Sequence, residues 1–217
     1  MKQNNFLLIF LSISIVFLTL ALLLKNFGIF PTKTYDNSYF GIETYKSNID
    51  KDGDGVDDQS DVLENVFNYI KTEPKYKSKY YATGYPDDEY GVCTDVVAMG
   101  LKGAGYDLME LLNEDILKNR QDYNIEKADK NIDFRRVQNL RVYFEKYAVK
   151  LSTDVHNIKA WQGGDIIVFK KHIGIVSNKR NKKGVALVIH HANPYQMHYE
   201  EDILENRDDI VGHYRIS

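Results

Sequence analysis

Cys93 is the single cysteine of this 217-residue chain and lies in the segment GVCTDVV. From it, apolar and small residues recur at positions 93, 96, 97, 100, 101 and 104, a spacing that predicts a helix beginning at the cysteine. The free N–H groups and the dipole of a helix N-terminus favour an anion, so we expect a lowered thiol pKa and a nucleophilic thiolate. The alternative is a small, buried core residue.

A thiol nucleophile needs an imidazole to exchange protons with and a group that orients that imidazole. His172 opens the run HIGIVS, where Gly174 allows close approach, and His190 lies in the run ALVIHH. If the two runs pair as a hairpin, His190 comes close to His172. His191 is the alternative partner, because neighbouring residues of a strand point to opposite faces.

The elements around these residues change from helical to strand periodicity along the chain. Helical spacing predicts helices over 61–71, 93–103, 108–120 and 134–148. Short β-branched runs follow at 165–169, 172–177 and 186–191, with 212–216 as a further strand. Helices followed by an antiparallel meander predict an α+β fold.

The ordered segments GVCTDVV, NIDFRRVQNL, GGDIIVF, HIGIVS, VIH and GHYRI resemble the papain-like cysteine peptidases, in the NlpC-type branch of cell-wall hydrolases. They more closely resemble a bacterial domain-of-unknown-function family within that superfamily. The resemblance implies helices packed on an antiparallel sheet, over residues 62–217. It also implies amide hydrolysis through a thioester without a cofactor, with Cys93 as nucleophile, His172 as base and His190 as the group behind the base.

Under this resemblance the substrate is a cell-wall peptide, and acyl transfer to an amine would use the same residues. The backbone N–H of Cys93 is the expected oxyanion donor. Tyr90 or Tyr85 is a candidate second donor, although packing within a loop explains either ring. Arg135 and Arg136 could bind a substrate carboxylate, or could belong to a solvated helix start capped by Asp133.

An acidic loop, DKDGDGVDDQSD, occupies residues 50–61. Its spacing follows a calcium loop of the EF-hand type, with a glycine at the sixth position and a backbone carbonyl at the seventh. We therefore expect a structural Ca²⁺ ion; the alternative is a flexible acidic linker with Asp61 as a helix N-cap. The expected ligands are Asp50, Asp52, Asp54, Val56, Asp58 and Asp61.

Residues 6–24 carry no charged side chain, and this stretch is long enough to form a membrane-spanning helix. We expect residues 1–25 to form an uncleaved signal anchor, rather than a cleaved signal peptide, and 26–49 a linker. The C-terminal domain would then be extracellular on a single-pass membrane protein. A net charge of −3 argues against a nucleic-acid partner, and we expect a monomer.

Two functions remain open at this stage. The first is a membrane-anchored, extracellular cysteine hydrolase of cell-wall peptide amides. The second is a non-catalytic, calcium-stabilised surface or binding module in which Cys93 is a packed core residue.

Overall fold

The computed structural model describes residues 2–26 and 33–216, with side chains for 9–22 and 33–216. The chain forms two compact units, Met1–Lys33 and Thr34–Ser217. The first unit contains helix α1 (Lys2–Asn26). Over the described residues, no helix combines the length and apolar character needed to cross a membrane. The anchor predicted at residues 1–25 overlaps α1, but residue 1 and the side chains of 2–8 and 23–25 lie outside the described part of the chain.

The second unit begins with helices. They are α2 (Asp58–Ile70), α3 (Cys93–Gly103), α4 (Leu108–Lys118), α5 (Arg120–Tyr123), α6 (Lys130–Asp133) and α7 (Val137–Tyr147). Helix α2 begins earlier than predicted, because the Asp57 side chain accepts from the Ser60 amide and caps it. Asp61 is therefore inside the helix and is not its N-cap.

Over residues 33–216, eight strands form two sheets. The strands are β1 (Lys75–Tyr76), β2 (Tyr90–Gly91), β3 (Val149–Lys150), β4 (Ile166–Phe169), β5 (Ile173–Arg180), β6 (Ala186–Ile189), β7 (Glu200–Glu201) and β8 (Ile210–Arg215). Strands β1 and β2 pair in parallel, whereas the larger sheet is antiparallel in the order β3-β8-β4-β5-β6-β7. The predicted α+β class is confirmed.

The main departure from the predicted meander is the last strand, β8. It returns to lie between β3 and β4, where His213 pairs with Ile167. The buried Asp165 carboxylate holds this return: it lies 3.0 Å from His213 Nε2 and accepts from Arg215 Nε at 2.7 Å. The apolar pattern of the strands does not predict that β8 pairs with β4, since the contacts of Asp165 with His213 and Arg215 are made by polar side chains.

The sheet is covered on both faces, as the alternation of strand side chains requires. Ile166 and Val168 belong to the larger cluster, with the side chains of α2, α3, α4 and α7. Ile167 and Phe169 belong to a smaller cluster around Trp161. The larger cluster packs α3 against β5, which brings the first turn of α3 to the start of that strand.

Candidate active site

Cys93 opens α3, as predicted. The Asp95 carboxylate accepts from the backbone N–H of Val92 at 2.8 Å and so closes the first turn. The backbone amide of Ile173, at the start of β5, is directed at the Cys93 sulfur. His172 immediately precedes Ile173, so its backbone lies at the same junction of helix and sheet as Cys93.

The resting thiol of Cys93 is protonated. Burial raises its pKa to about 11, and the nearby Asp95 carboxylate acts in the same direction. The amides of Ile173, Thr94 and Cys93 lower the pKa but do not outweigh burial. The expectation of a thiol pKa lowered by the helix N-terminus is therefore wrong, since desolvation is the larger effect.

His172 and His190 form the pair that the hairpin predicts. Strands β5 and β6 are antiparallel with Ile175 opposite Ile189, and His172 Nε2 lies 2.9 Å from His190 Nδ1. Burial, followed by the charges of His190 and Arg207, lowers the pKa of His172 to about 3, so its ring is neutral. Nε2 of His172 makes this contact, and Nδ1 is the ring nitrogen that stands outside it.

Gly174 permits this close approach of the two strands. A Cβ atom at this position would lie 2.8 Å from the Ile189 carbonyl oxygen and 3.1 Å from His190 Cβ. Any larger residue would therefore push β6, and His190 with it, away from β5. The glycine predicted to allow close approach is needed for the histidine pair.

A fourth polar residue, Glu201, extends the pair beyond His190. Its Oε2 lies 3.0 Å from His190 Nε2, and the His190 ring is almost fully buried. Sequence reasoning missed Glu201, because β7 is two residues long and has no alternating pattern to reveal its register. The one signal was an acidic pair, Glu200 and Glu201, shortly after two histidines.

His191 is buried beside this pair but makes no hydrogen bond to it among the described residues. Its ring meets Tyr76 and Tyr199 edge-on, with centroids 5.2 and 5.1 Å away. Burial lowers its pKa, and its Nδ1 has no hydrogen-bond partner among the described residues. Thus His190, and not His191, makes the contact with His172.

The two arginines predicted to bind a carboxylate have different environments. Arg135 is buried and donates to both oxygens of Asp95, at 2.6 and 2.8 Å, and to the Lys79 carbonyl. The prediction that Arg135 binds substrate is therefore wrong: its guanidinium is already engaged and braces the first turn of α3. Arg136 is exposed, with Nε 3.7 Å from Asp133 Oδ1, and stays a prediction as a substrate contact.

The two tyrosines named as candidate oxyanion donors differ in their surroundings, and Tyr90 stays a prediction. It is half-buried in β2, and the ammonium groups of Lys77 and Lys79 lie 4.9 and 5.1 Å from its ring centroid. The buried Tyr85 donates its hydroxyl to Asp107 at 2.8 Å, so it is not available as an oxyanion donor.

The acidic loop gathers some of the predicted ligands. One carboxylate oxygen each of Asp50, Asp52 and Asp54 lie within 4.8 Å of one another, and all three residues are exposed. Burial and the charges of Asp52 and Asp54 raise the pKa of Asp61 to about 6. Four of the predicted ligands therefore interact electrostatically.

Asp58 is not in this group. It is buried, and its carboxylate accepts from the Lys51 amide at 2.8 Å and from the Tyr106 hydroxyl. These contacts tie the start of α2 to Lys51 of the loop and to Tyr106, and Asp58 as a calcium ligand stays a prediction. Val56 lies between Asp54 and α2, and its amide donates to Asp54 Oδ1. Its carbonyl stays a predicted calcium ligand.

Comparison with known proteins places the chain in a family. Residues 64–216 match the family described as "Domain of unknown function (DUF1287)". The chain is a DUF1287 protein. It is 37% identical over 152 residues to "Uncharacterized protein YijF" of Escherichia coli (strain K12), an alignment that covers 66% of this chain and 72% of that protein. No solved structure matches it.

The DUF1287 segment contains Cys93, His172, His190 and Glu201 and ends in β8 and the residue after it. It begins at residue 64, so the acidic loop lies before it. The candidate active site therefore belongs to the DUF1287 segment, and the acidic loop lies outside the matched residues.

Proposed function

We propose that this DUF1287 protein is a cysteine hydrolase that cleaves amide bonds, with Cys93, His172 and His190 as its catalytic machinery. The observation that carries the proposal is the 2.9 Å contact between His172 Nε2 and His190 Nδ1. This contact lies at the start of β5, where the amide of the next residue, Ile173, is directed at the Cys93 sulfur. A nucleophile, a base and a third group that orients the base are the parts that thiol-based acyl transfer needs.

The first half-reaction forms a thioester. Cys93 Sγ attacks the amide carbonyl carbon while its proton passes to His172 Nδ1. The backbone N–H groups at the start of α3 stabilise the negative oxygen of the tetrahedral intermediate. His172 then returns the proton to the amide nitrogen, the C–N bond breaks, and the amine leaves.

The second half-reaction restores the enzyme. A water molecule attacks the thioester carbon and gives one proton to His172 Nδ1. The C–S bond breaks, the acid product leaves, and the proton returns from His172 to Cys93 Sγ. The thiol and the neutral imidazole of the resting state are regenerated, so no cofactor is consumed.

The substrate class and location rest on resemblance. The order of the motifs, from a cysteine at a helix start to a histidine at a strand start, is similar to NlpC-type papain-like peptidases, which act on peptidoglycan peptides. A domain outside the membrane, anchored by residues 1–25, would meet that substrate. We therefore propose cell-wall stem peptides as the substrate of a monomeric, membrane-anchored enzyme.

The test is digestion of purified peptidoglycan and soluble muropeptides by the full chain, read by mass spectrometry. Wild-type protein should release new amine and carboxylate ends, and Cys93→Ala and His172→Ala should release none. His156→Ala is a matched control, because that histidine is exposed and belongs to a different loop; it should keep full activity. Intact substrate after incubation with wild type would refute this substrate class.

A non-catalytic module is the second candidate, and the partial burial of Cys93 with its raised thiol pKa favours it. Under that function the thiol is a packing residue, and no acyl group ever forms on it. Rapid acid quenching during turnover separates the two: a thioester adduct on Cys93 supports the hydrolase. Loss of fold stability in Cys93→Ala, with no adduct and no product for wild type, would support the module.

We also propose a structural Ca²⁺ ion in the acidic loop, held by Asp50, Asp52, Asp54 and Asp61 with the Val56 carbonyl. Carboxylates gathered within 4.8 Å repel one another unless a cation lies between them. Thermal unfolding should move to higher temperature with millimolar calcium and return with chelator. Asp52→Asn should abolish the shift, and an unchanged midpoint in the wild type would exclude the site.

A further inference from the structure

We infer that Glu201 fixes the proton positions of the His190–His172 pair and is a positioning residue of this site. The starting observation is that His190 lies between two polar partners. Its Nδ1 is 2.9 Å from His172 Nε2, and its Nε2 is 3.0 Å from Glu201 Oε2. With 3% of its surface exposed, the His190 ring has little access to water and takes its protonation pattern from these partners.

An ionised carboxylate accepts hydrogen bonds and donates none. Glu201 therefore requires the proton of a neutral His190 to be on Nε2, which leaves a lone pair on Nδ1. That lone pair accepts from His172 Nε2–H, so the lone pair of His172 is on Nδ1. The opposite order would put a nitrogen lone pair of His190 against the carboxylate, with no proton between them.

The neighbouring charged groups do not provide this selection. Glu200 points to the other face of β7, where its carboxylate accepts from Ser177 and pairs with Lys179. Arg207 and Asp209 lie near His172 and act on its charge, but they bond to each other. Glu201 is the carboxylate that contacts the pair, within the part of the chain that the structure describes.

The consequence for chemistry rests on the proposed function. A base that takes the Cys93 proton must present a lone pair. Because Glu201 sets the direction of both hydrogen bonds, from His172 to His190 and from His190 to Glu201, the lone pair of His172 is at Nδ1. Without the carboxylate, both tautomers of each ring satisfy the His172–His190 contact equally well. A large fraction of molecules would then present an N–H to the thiol and could not accept its proton.

The tautomers can be read directly by ¹⁵N NMR of the histidine rings in the full chain, assigned with His172→Ala and His190→Ala. In wild type, both rings should carry the proton on Nε2. Glu201→Ala and the similarly sized Glu201→Gln should give mixed tautomers at His172, because a glutamine side chain both donates and accepts. Glu200→Ala, the matched control in the same strand, should match wild type.

If the chain hydrolyses its substrate, Glu201→Gln should lower kcat by about tenfold to a hundredfold with little change in KM, the range for losing a hydrogen bond to a charged group. Glu201→Asp should restore part of the loss. A wild-type His172 with its proton on Nδ1, or unchanged tautomers in Glu201→Gln, would overturn the inference. Correct tautomers in a chain without activity would instead refute the proposed function alone, so the two failures are distinguishable.

Discussion

The reaction of Cys93 with iodoacetamide over a range of pH tests the central electrostatic argument. The chain has one cysteine, so uptake of label reports this site alone. Burial raises the pKa of the thiol to about 11. We therefore expect the rate to rise about tenfold per pH unit, with no plateau below pH 10, since only the thiolate reacts.

The size of the effect follows from the change in pKa. A rise from 9.0 to about 11 lowers the thiolate fraction near neutral pH by about a hundredfold. A more basic thiolate is also more nucleophilic. With a Brønsted coefficient of roughly 0.4–0.5, this raises the intrinsic rate of the Cys93 thiolate by a little less than tenfold and so offsets part of the loss. The folded thiol should thus react at least about tenfold more slowly than the same thiol in the unfolded chain, and limited access slows it further.

The assay is mass spectrometry of labelled protein, folded or unfolded in urea, at each pH. Cys93→Ala provides the unlabelled baseline, and the urea series provides a rate for an accessible thiol. A rate that is fast and already constant below pH 7 would refute the reasoning. That result would mean a resting thiolate–imidazolium pair, in which the amides at the start of α3 outweigh the cost of burial.

Three further predictions concern the surroundings of the site. Asp95→Asn should destabilise the fold by about 3–5 kcal/mol in urea unfolding, because it leaves the buried Arg135 charge unpaired; an unchanged midpoint would show that the ion pair is not structural. Gly174→Ala should cost about 1–3 kcal/mol and weaken the His190 contact, seen as a change in its ring ¹⁵N shifts. In chelator, the raised pKa of Asp61 should make the free energy of unfolding fall by about 2 kcal/mol as pH rises from 4 to 6, because the native state holds the proton to higher pH than the unfolded chain does. Calcium should remove that fall.

The histidine hairpin was predictable because its determinants are local. Strand periodicity sets which residues face one another, and a glycine marks where two strands come close. The structure has His172 and His190 joined by a hydrogen bond, with Gly174 at the close approach. The choice between His190 and His191 needed the actual register of β5 and β6, since the sequence allowed either of these neighbouring side chains to face His172.

The failures arose where long-range packing decides the chemistry. The α3 N-terminus was predicted, but the sign of the thiol shift depends on how deeply that turn is buried. Arg135 was read as a free cation, because nothing local indicates that Asp95, 40 positions earlier, takes both of its donors. Glu201 was missed because a two-residue strand has no periodicity.

Burial shifts the pKa values of Cys93 and His172 in opposite directions, and under the proposed hydrolase function this determines how the proton has to move. It raises the pKa of Cys93 to about 11 and lowers that of His172 to about 3, so both favour the neutral form. An ion pair is then not available in advance, and proton transfer has to accompany attack on the substrate. The position of the accepting lone pair therefore matters more to this site than thiolate stability, and that position depends on His190 and on the carboxylate of Glu201 behind it.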